Sequence, residues 1–99
     1  MTALDFSTVL GNAWFPAPIF TASGCASSGR ELSQFFDIST MGGVVTKSVM
    51  LKARNGRATP RMAETPSGML NSIGLQGPGI DAFLAKDVPF LVEQKARII

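Results

Sequence analysis

Lys47 has the clearest chemical potential in this sequence. It stands toward the C-terminal end of the apolar run 43–49, between Thr46 and Ser48. A strand-end lysine ordinarily carries its amine to solvent along an apolar stem. Where parallel strands deliver their C-terminal ends to one face, the same amine can neutralise an anionic substrate or a reduced, anionic cofactor. Ser23-Gly24 ends the preceding strand candidate and would emerge on that face. The second candidate site is Asn71-Ser72-Ile73-Gly74-Leu75. Asn and Gly are common turn residues. An Asn amide also offers donors and an acceptor to an imide or amide edge, and Gly74 lets backbone approach a flat ligand closely.

Other chemistries are excluded or weakly supported. Gly24 and Gly29 have the spacing of a phosphate-binding P-loop, but Arg30-Glu31 follows where Lys and Ser/Thr are needed. Gly74, Gly77 and Gly79 miss the dinucleotide fingerprint. There is no histidine, so His-based triads, His zinc sites and His acid–base catalysis are excluded within the chain. The single cysteine, Cys25, excludes an internal disulfide. With no histidine to activate it, Cys25 reads as a small packed or semi-exposed thiol.

The 99 residues carry a net charge of +2 and suffice for one domain. Lys47, Lys52, Arg54, Arg57 and Arg61 gather the basic charge, with no acid between Asp37 and Glu64. This is a solvated loop or an anion site. No aromatic lies between Phe36 and Phe83, so the stacking platforms of single-strand nucleic-acid binding are missing. No apolar run approaches the roughly 20 residues of a membrane span. Asp5 precedes the first basic residue, Arg30, so no secretory signal is visible and a cytoplasmic location is expected.

The elements that would position these groups follow from the apolar pattern. Residues 7–10 and 13–15 flank Gly11-Asn12, a pair suited to a tight hairpin. Residues 19–22 read as a strand. Ser28 and Glu31 have capping-box spacing, and Leu32, Phe35 and Phe36 would share one face of a helix ending near 39–42. Residues 43–49 are the best strand, and Val44-Val45 suggests burial on both faces in a parallel sheet. Residues 52–63 read as loop, 62–73 as a stretch able to hold short strands, and 74–79 as a turn. Ile80, Phe83 and Leu84 open a second helix, which Pro89 interrupts and 90–95 resumes. Arg97-Ile98-Ile99 reads as the start of a further strand. Alternating strand and helix predicts a parallel α/β fold.

Several segments together resemble a known family. These are Thr21-Ala22-Ser23-Gly24, Gly29-Arg30-Glu31, Val45-Thr46-Lys47-Ser48, Thr59-Pro60-Arg61 and, above all, Glu64-Thr65-Pro66-Ser67-Gly68-Met69-Leu70-Asn71-Ser72-Ile73-Gly74-Leu75-Gln76. In order, they resemble class 1 dihydroorotate dehydrogenases of the B type. The resemblance implies the N-terminal portion of a TIM (β/α)8 barrel with a bottom-closing β-hairpin, residues 1–99 forming part of a single barrel domain. It implies FMN-dependent oxidation of dihydroorotate to orotate in de novo pyrimidine synthesis. Carried over by position, Ala22, Ser23, Gly24, Lys47 and Ser48 would contact FMN. Lys47, Asn71, Ser72, Ile73, Gly74 and Leu75 would contact the substrate. Arg61 is expected to be structural, bracing the excursion loop, with an anion role left open. No catalytic base is expected here, because the family's base is a cysteine on a later loop and Cys25 is misplaced for that role. The loop holding Cys25-Ala26-Ser27-Ser28 also lacks the aromatic common in B-type members.

The resemblance further implies a partner subunit with FAD and an iron–sulfur cluster, and a homodimer or heterotetramer at full length. A complete barrel needs roughly 250 residues, so the 99-residue chain is expected to be inactive alone. Two other functions remain open. One is a non-catalytic barrel fragment or interaction module, whose unclosed strand edges would invite pairing. The other is an FMN barrel oxidoreductase acting on a different planar substrate.

Overall fold

The computed structural model describes residues 3–99. The chain divides into two units: one runs through Ser48 and takes in Ala85–Ile99, and the other is Val49–Leu84.

The first unit opens with the expected hairpin. Strands β1 (Thr8–Leu10) and β2 (Ala13–Phe15) pair antiparallel, Thr8 opposite Phe15 and Leu10 opposite Ala13. Gly11 takes φ +61° at the first turn position, where glycine is favoured in tight hairpins. Beyond the hairpin, three segments run parallel. Phe20 pairs with Gly43, and Val44 with Ile98. Val44 donates to Arg97 O and accepts from the Ile99 N–H, at 2.8 and 3.0 Å. The parallel pairing expected from the sequence is present, with the Val44 segment in the middle.

The predicted strands 19–22 and 43–49 are nevertheless short. The ladder is backbone to backbone only as far as Gly43, where Thr21 N donates to Gly43 O at 3.3 Å. From there side chains continue it. The Val45 N–H donates to Thr21 Oγ1 at 2.8 Å, and Ser23 Oγ donates to Thr46 O at 3.0 Å. Hydroxyls standing in for backbone partners end the regular ladder just where the candidate ligand residues begin.

The helix expected after the Ser28–Glu31 capping spacing and ending near 39–42 does not form. Gly29 takes φ +79°, a left-handed step that breaks the path from Ser28 to Glu31. Ser28 Oγ instead donates to Asp87 Oδ1 at 3.0 Å, and Ser33 Oγ donates to Arg30 O at 2.6 Å. Two single 3-10 turns result, Leu32–Gln34 and Ile38–Thr40. Phe35 is left 83% exposed rather than packed on a helical face. Asp37 caps the second turn by accepting from the Ser39 N–H and hydroxyl. The Ser39 hydroxyl first, and its N–H second, hold the Asp37 carboxyl below its usual range.

The C-terminal helical run is interrupted, but ahead of Pro89 rather than at it, and Pro89 lies in the first turn of the resumed helix. Helix α1 (Ile80–Ala82) passes into a π turn (Phe83–Asp87) and then helix α2 (Val88–Glu93). Pro89 supplies no N–H, and its ring would press on the carbonyl four residues earlier in a regular α-helix, which the wider turn avoids. Helix α2 closes with a Schellman arrangement. Lys95 takes φ +57°, its N–H donates to Val92 O, and the Ala96 N–H donates to Leu91 O at 3.0 Å. That turn sends 97–99 back beside Val44. Arg30 ties the helix to the loop before it, bonding Asp87 at 3.3 Å and Lys86 O at 2.8 Å and stacking on Phe90 at 4.3 Å.

Ile38, Val44 and Leu91 are fully buried, with Leu32, Phe90 and Ala96 against them. Phe6, Val9, Leu10, Trp14 and Ile19 remain exposed. Leu91→Ala would empty the centre of this small cluster. It should lower unfolding stability by about 3 kcal/mol, read as an earlier midpoint in urea.

The second unit is built on the hairpin β3 (Met62–Thr65) and β4 (Gly68–Asn71), which pairs Met62 with Asn71 and Thr65 with Gly68 across Pro66-Ser67. The expectation that 62–73 could hold short strands is met. The Ser72 N–H extends the ladder to Arg61 O at 2.8 Å.

Candidate functional site

The candidate residues fall into two clusters, one in each unit. In the first, Ala22, Ser23 and Gly24 follow the Phe20 segment and are exposed. Ser23 reaches Thr46, and the Lys47 N–H donates to Ser27 O at 3.3 Å, so 22–27 and 46–48 converge at the C-terminal ends of neighbouring parallel segments. Ser48 is exposed and Lys47 half-buried. Among the described residues the Lys47 amine has no ion-pair or hydrogen-bond partner, and a cation held there without a counter-ion is suited to an anion. A Cβ at Gly24 would meet nothing within 4 Å, so this end of the sheet offers open space bordered by small residues. Cys25 is exposed and free.

The second cluster is Asn71 to Leu75, laced to the arch 54–57. The Arg57 N–H donates to Ile73 O at 2.8 Å, and Arg54 Nε donates to Gly74 O at 2.8 Å. Arg54 and Gly77 then exchange both backbone bonds, at 2.9 and 2.8 Å. In a planar trans peptide the N–H points opposite to the carbonyl before it. Both carbonyls are taken by the arch, so the Gly74 and Leu75 N–H groups point away from it. Among the described residues, neither donates to another backbone group. Two successive free donors of this kind make a site for an anionic oxygen pair.

This arrangement demands close approach. A Cβ on Gly56 would come within 2.5 Å of Ile73 O, and one on Gly74 within 2.5 Å of the Arg57 nitrogen. Gly74 also takes φ +86°. Leu75, with a full side chain, is held at φ +57°, which costs roughly 1 kcal/mol or more. Arg61 bridges the far end, from Gln76 Oε1 at 2.7 Å to Asn55 O at 3.0 Å, while its buried Nε has no partner among the described residues. The bracing expected of Arg61 is therefore seen. Beside the hairpin, Arg57, Arg61, Met62, Leu70, Asn71 and Ser72 line an open hollow of about 440 Å³.

Sequence reasoning missed Arg54. It read this residue only as one charge in a basic run, and the available signal was its place two residues before Gly56, where a loop must turn tightly against another backbone. Thr21 was also missed, because a hydroxyl in a strand carries no sign that it will replace a peptide group.

No group of three or more potential metal ligands occurs among the described residues. No described helix is long and apolar enough to cross a membrane. Gly74→Ala would drive a methyl into Arg57 and strain a left-handed residue. It should destabilise the unit by more than about 1 kcal/mol and speed amide exchange at Arg57.

A family model described as "Dihydroorotate dehydrogenase" matches residues 6–99. Three similar relatives are each named "Dihydroorotate dehydrogenase B (NAD(+)), catalytic subunit". That of Anoxybacillus flavithermus is 52% identical over 82 residues, covering 83% of this chain and 26% of the relative. That of Alkaliphilus metalliredigens is 42% identical over 99 residues, covering 100% and 33%. That of Pelobacter propionicus is 54% identical over 87 residues, covering 88% and 29%. The chain thus spans a third or less of the length of these relatives.

Proposed function

The chain belongs to the dihydroorotate dehydrogenase family, and from that premise we propose that it forms part of an FMN-dependent enzyme oxidising dihydroorotate to orotate in pyrimidine synthesis. The observation that carries this reading is the pair of outward N–H donors at Gly74 and Leu75, three and four residues past Asn71. A pyrimidine with a carboxylate needs both kinds of group. The carboxylate takes the two N–H donors, and the ring's polar edge pairs with the Asn71 amide. Ser72 and Ile73 carry the chain between these contacts.

Ala22, Ser23, Gly24, Lys47 and Ser48 would border FMN. Their fit rests on the open space at Gly24 and the unpaired, half-buried amine of Lys47. Oxidation removes a proton from one ring carbon and a hydride from its neighbour, and FMN when bound supplies the hydride-accepting chemistry. Lys47 balances negative charge on the substrate or beside it. The proton acceptor would be a cysteine outside these residues.

In this reading residues 1–99 are part of a single (β/α)8 barrel domain, with β1 and β2 closing its bottom. The apolar residues left exposed around Trp14 and Ile19, and the parallel edges of the first unit, would be covered by further barrel elements. As in the relatives' name, the enzyme would be a catalytic subunit. We place it in the cytoplasm, in a homodimer or heterotetramer, with a partner carrying FAD and an iron–sulfur cluster for transfer to NAD.

Lys47→Ala and Asn71→Ala in the complete flavoenzyme should each lower kcat/KM for dihydroorotate about a hundredfold. Steady-state assays of orotate formation check this; near-normal rates in both variants contradict it. The 99-residue chain alone, mixed with FMN and dihydroorotate, should form no orotate.

A further inference from the structure

We propose that Arg54 is a positioning residue for the substrate loop, acting by holding the peptide unit between Gly74 and Leu75 with its N–H outward. The proposal rests on the reading of residues 71–75 as substrate-binding. Arg54 itself need not touch substrate. Its Nε donates at 2.8 Å to Gly74 O, the carbonyl of the same peptide unit that carries the Leu75 N–H.

The backbone gives that peptide a reason to turn over. Leu75 is held at φ +57°, where side chains other than glycine are disfavoured. Reversing one peptide unit rotates ψ of the residue before it and φ of the residue after it by about half a turn in opposite senses, and leaves the chain path nearly unchanged. Reversal here would carry Leu75 to φ of roughly −120°, in the negative range open to any residue. Gly74 can adopt either arrangement, because it has no Cβ. The guanidinium bond is therefore what opposes relaxation of Leu75.

The consequence for binding is a change of sign. In the reversed unit the Gly74 oxygen would occupy the side where the Leu75 N–H stood. An anionic carboxylate arriving there would meet an acceptor instead of a donor. The effect is confined to one peptide. The preceding unit is held by the Arg57 N–H on Ile73 O, which a side-chain replacement at position 54 leaves in place. On the far side Arg61 holds Gln76.

The test uses the full-length, FMN-loaded enzyme. In R54A the orotate Kd, titrated by flavin absorbance, should rise about ten- to a hundredfold, the loss of one hydrogen bond from a charged group. The KM for dihydroorotate should rise with it, and R54K should recover part of the loss. Adding Leu75→Gly to R54A removes the preference for the reversed peptide, so R54A/L75G should bind orotate several-fold more tightly than R54A. An unchanged Kd in R54A, or a double variant no tighter than R54A, overturns the proposal. A ligand-free crystal structure of R54A reads the peptide directly: Leu75 near φ −120° supports the proposal, and Leu75 still near +57° overturns it. That readout is independent of substrate. A reversed peptide in R54A, with no orotate binding by the wild-type enzyme, would sink the functional reading and leave the role of Arg54 in the peptide standing.

Discussion

Two carbonyl groups, those of Ile73 and Gly74, are both taken by the arch 54–57, and the candidate substrate segment depends on that capture. One donor is the Arg57 backbone N–H and the other is the Arg54 side chain. Peptide planarity converts the capture into a statement about the opposite side, where two successive N–H groups are left free. The close approach of Gly56 and Gly74 makes the lacing possible, and the left-handed conformation of Leu75 is its energetic cost. Local strain at a ligand-facing segment is a common way for a protein to hold donors in place before the ligand arrives.

The first unit solves a related problem with hydroxyls. Thr21 and Ser23 replace peptide groups as partners of Val45 and Thr46, so the parallel ladder ends without leaving its last groups unpaired. The ends of neighbouring segments are thereby fixed next to Lys47. Helix α2 contributes through its closing turn. The left-handed Lys95 and the bond from Ala96 to Leu91 return the chain beside Val44, whose side chain shares the small buried cluster with Leu91.

Much of this was legible from residue types. The hairpin at Gly11-Asn12, the parallel pairing around Val44 and a break in the C-terminal helical run follow from local rules, although the break falls at Phe83–Asp87 and Pro89 lies within α2. The helix expected to follow the Ser28–Glu31 capping spacing and end near 39–42 was misread because that spacing is genuine, but Gly29 adopts a left-handed turn and Ser28 finds a distant partner in Asp87. No local pattern reports a bond to a residue 59 positions away. The same limit hid Arg54, whose partner is a carbonyl 20 residues on. Lys47 was legible as chemistry from its place at a strand's C-terminal end, and Asn71 from its amide beside Gly74, and the family resemblance then added roles to both. Their convergence on one ligand is proposed for the whole enzyme.

That convergence is tested most directly by a crystal structure of the complete flavoenzyme with orotate bound. The account predicts one pyrimidine within hydrogen-bonding distance of both the Lys47 amine and the Asn71 amide, its carboxylate on the Gly74 and Leu75 N–H groups. Orotate bound without either side chain, or Lys47 and Asn71 facing separate cavities, would contradict it.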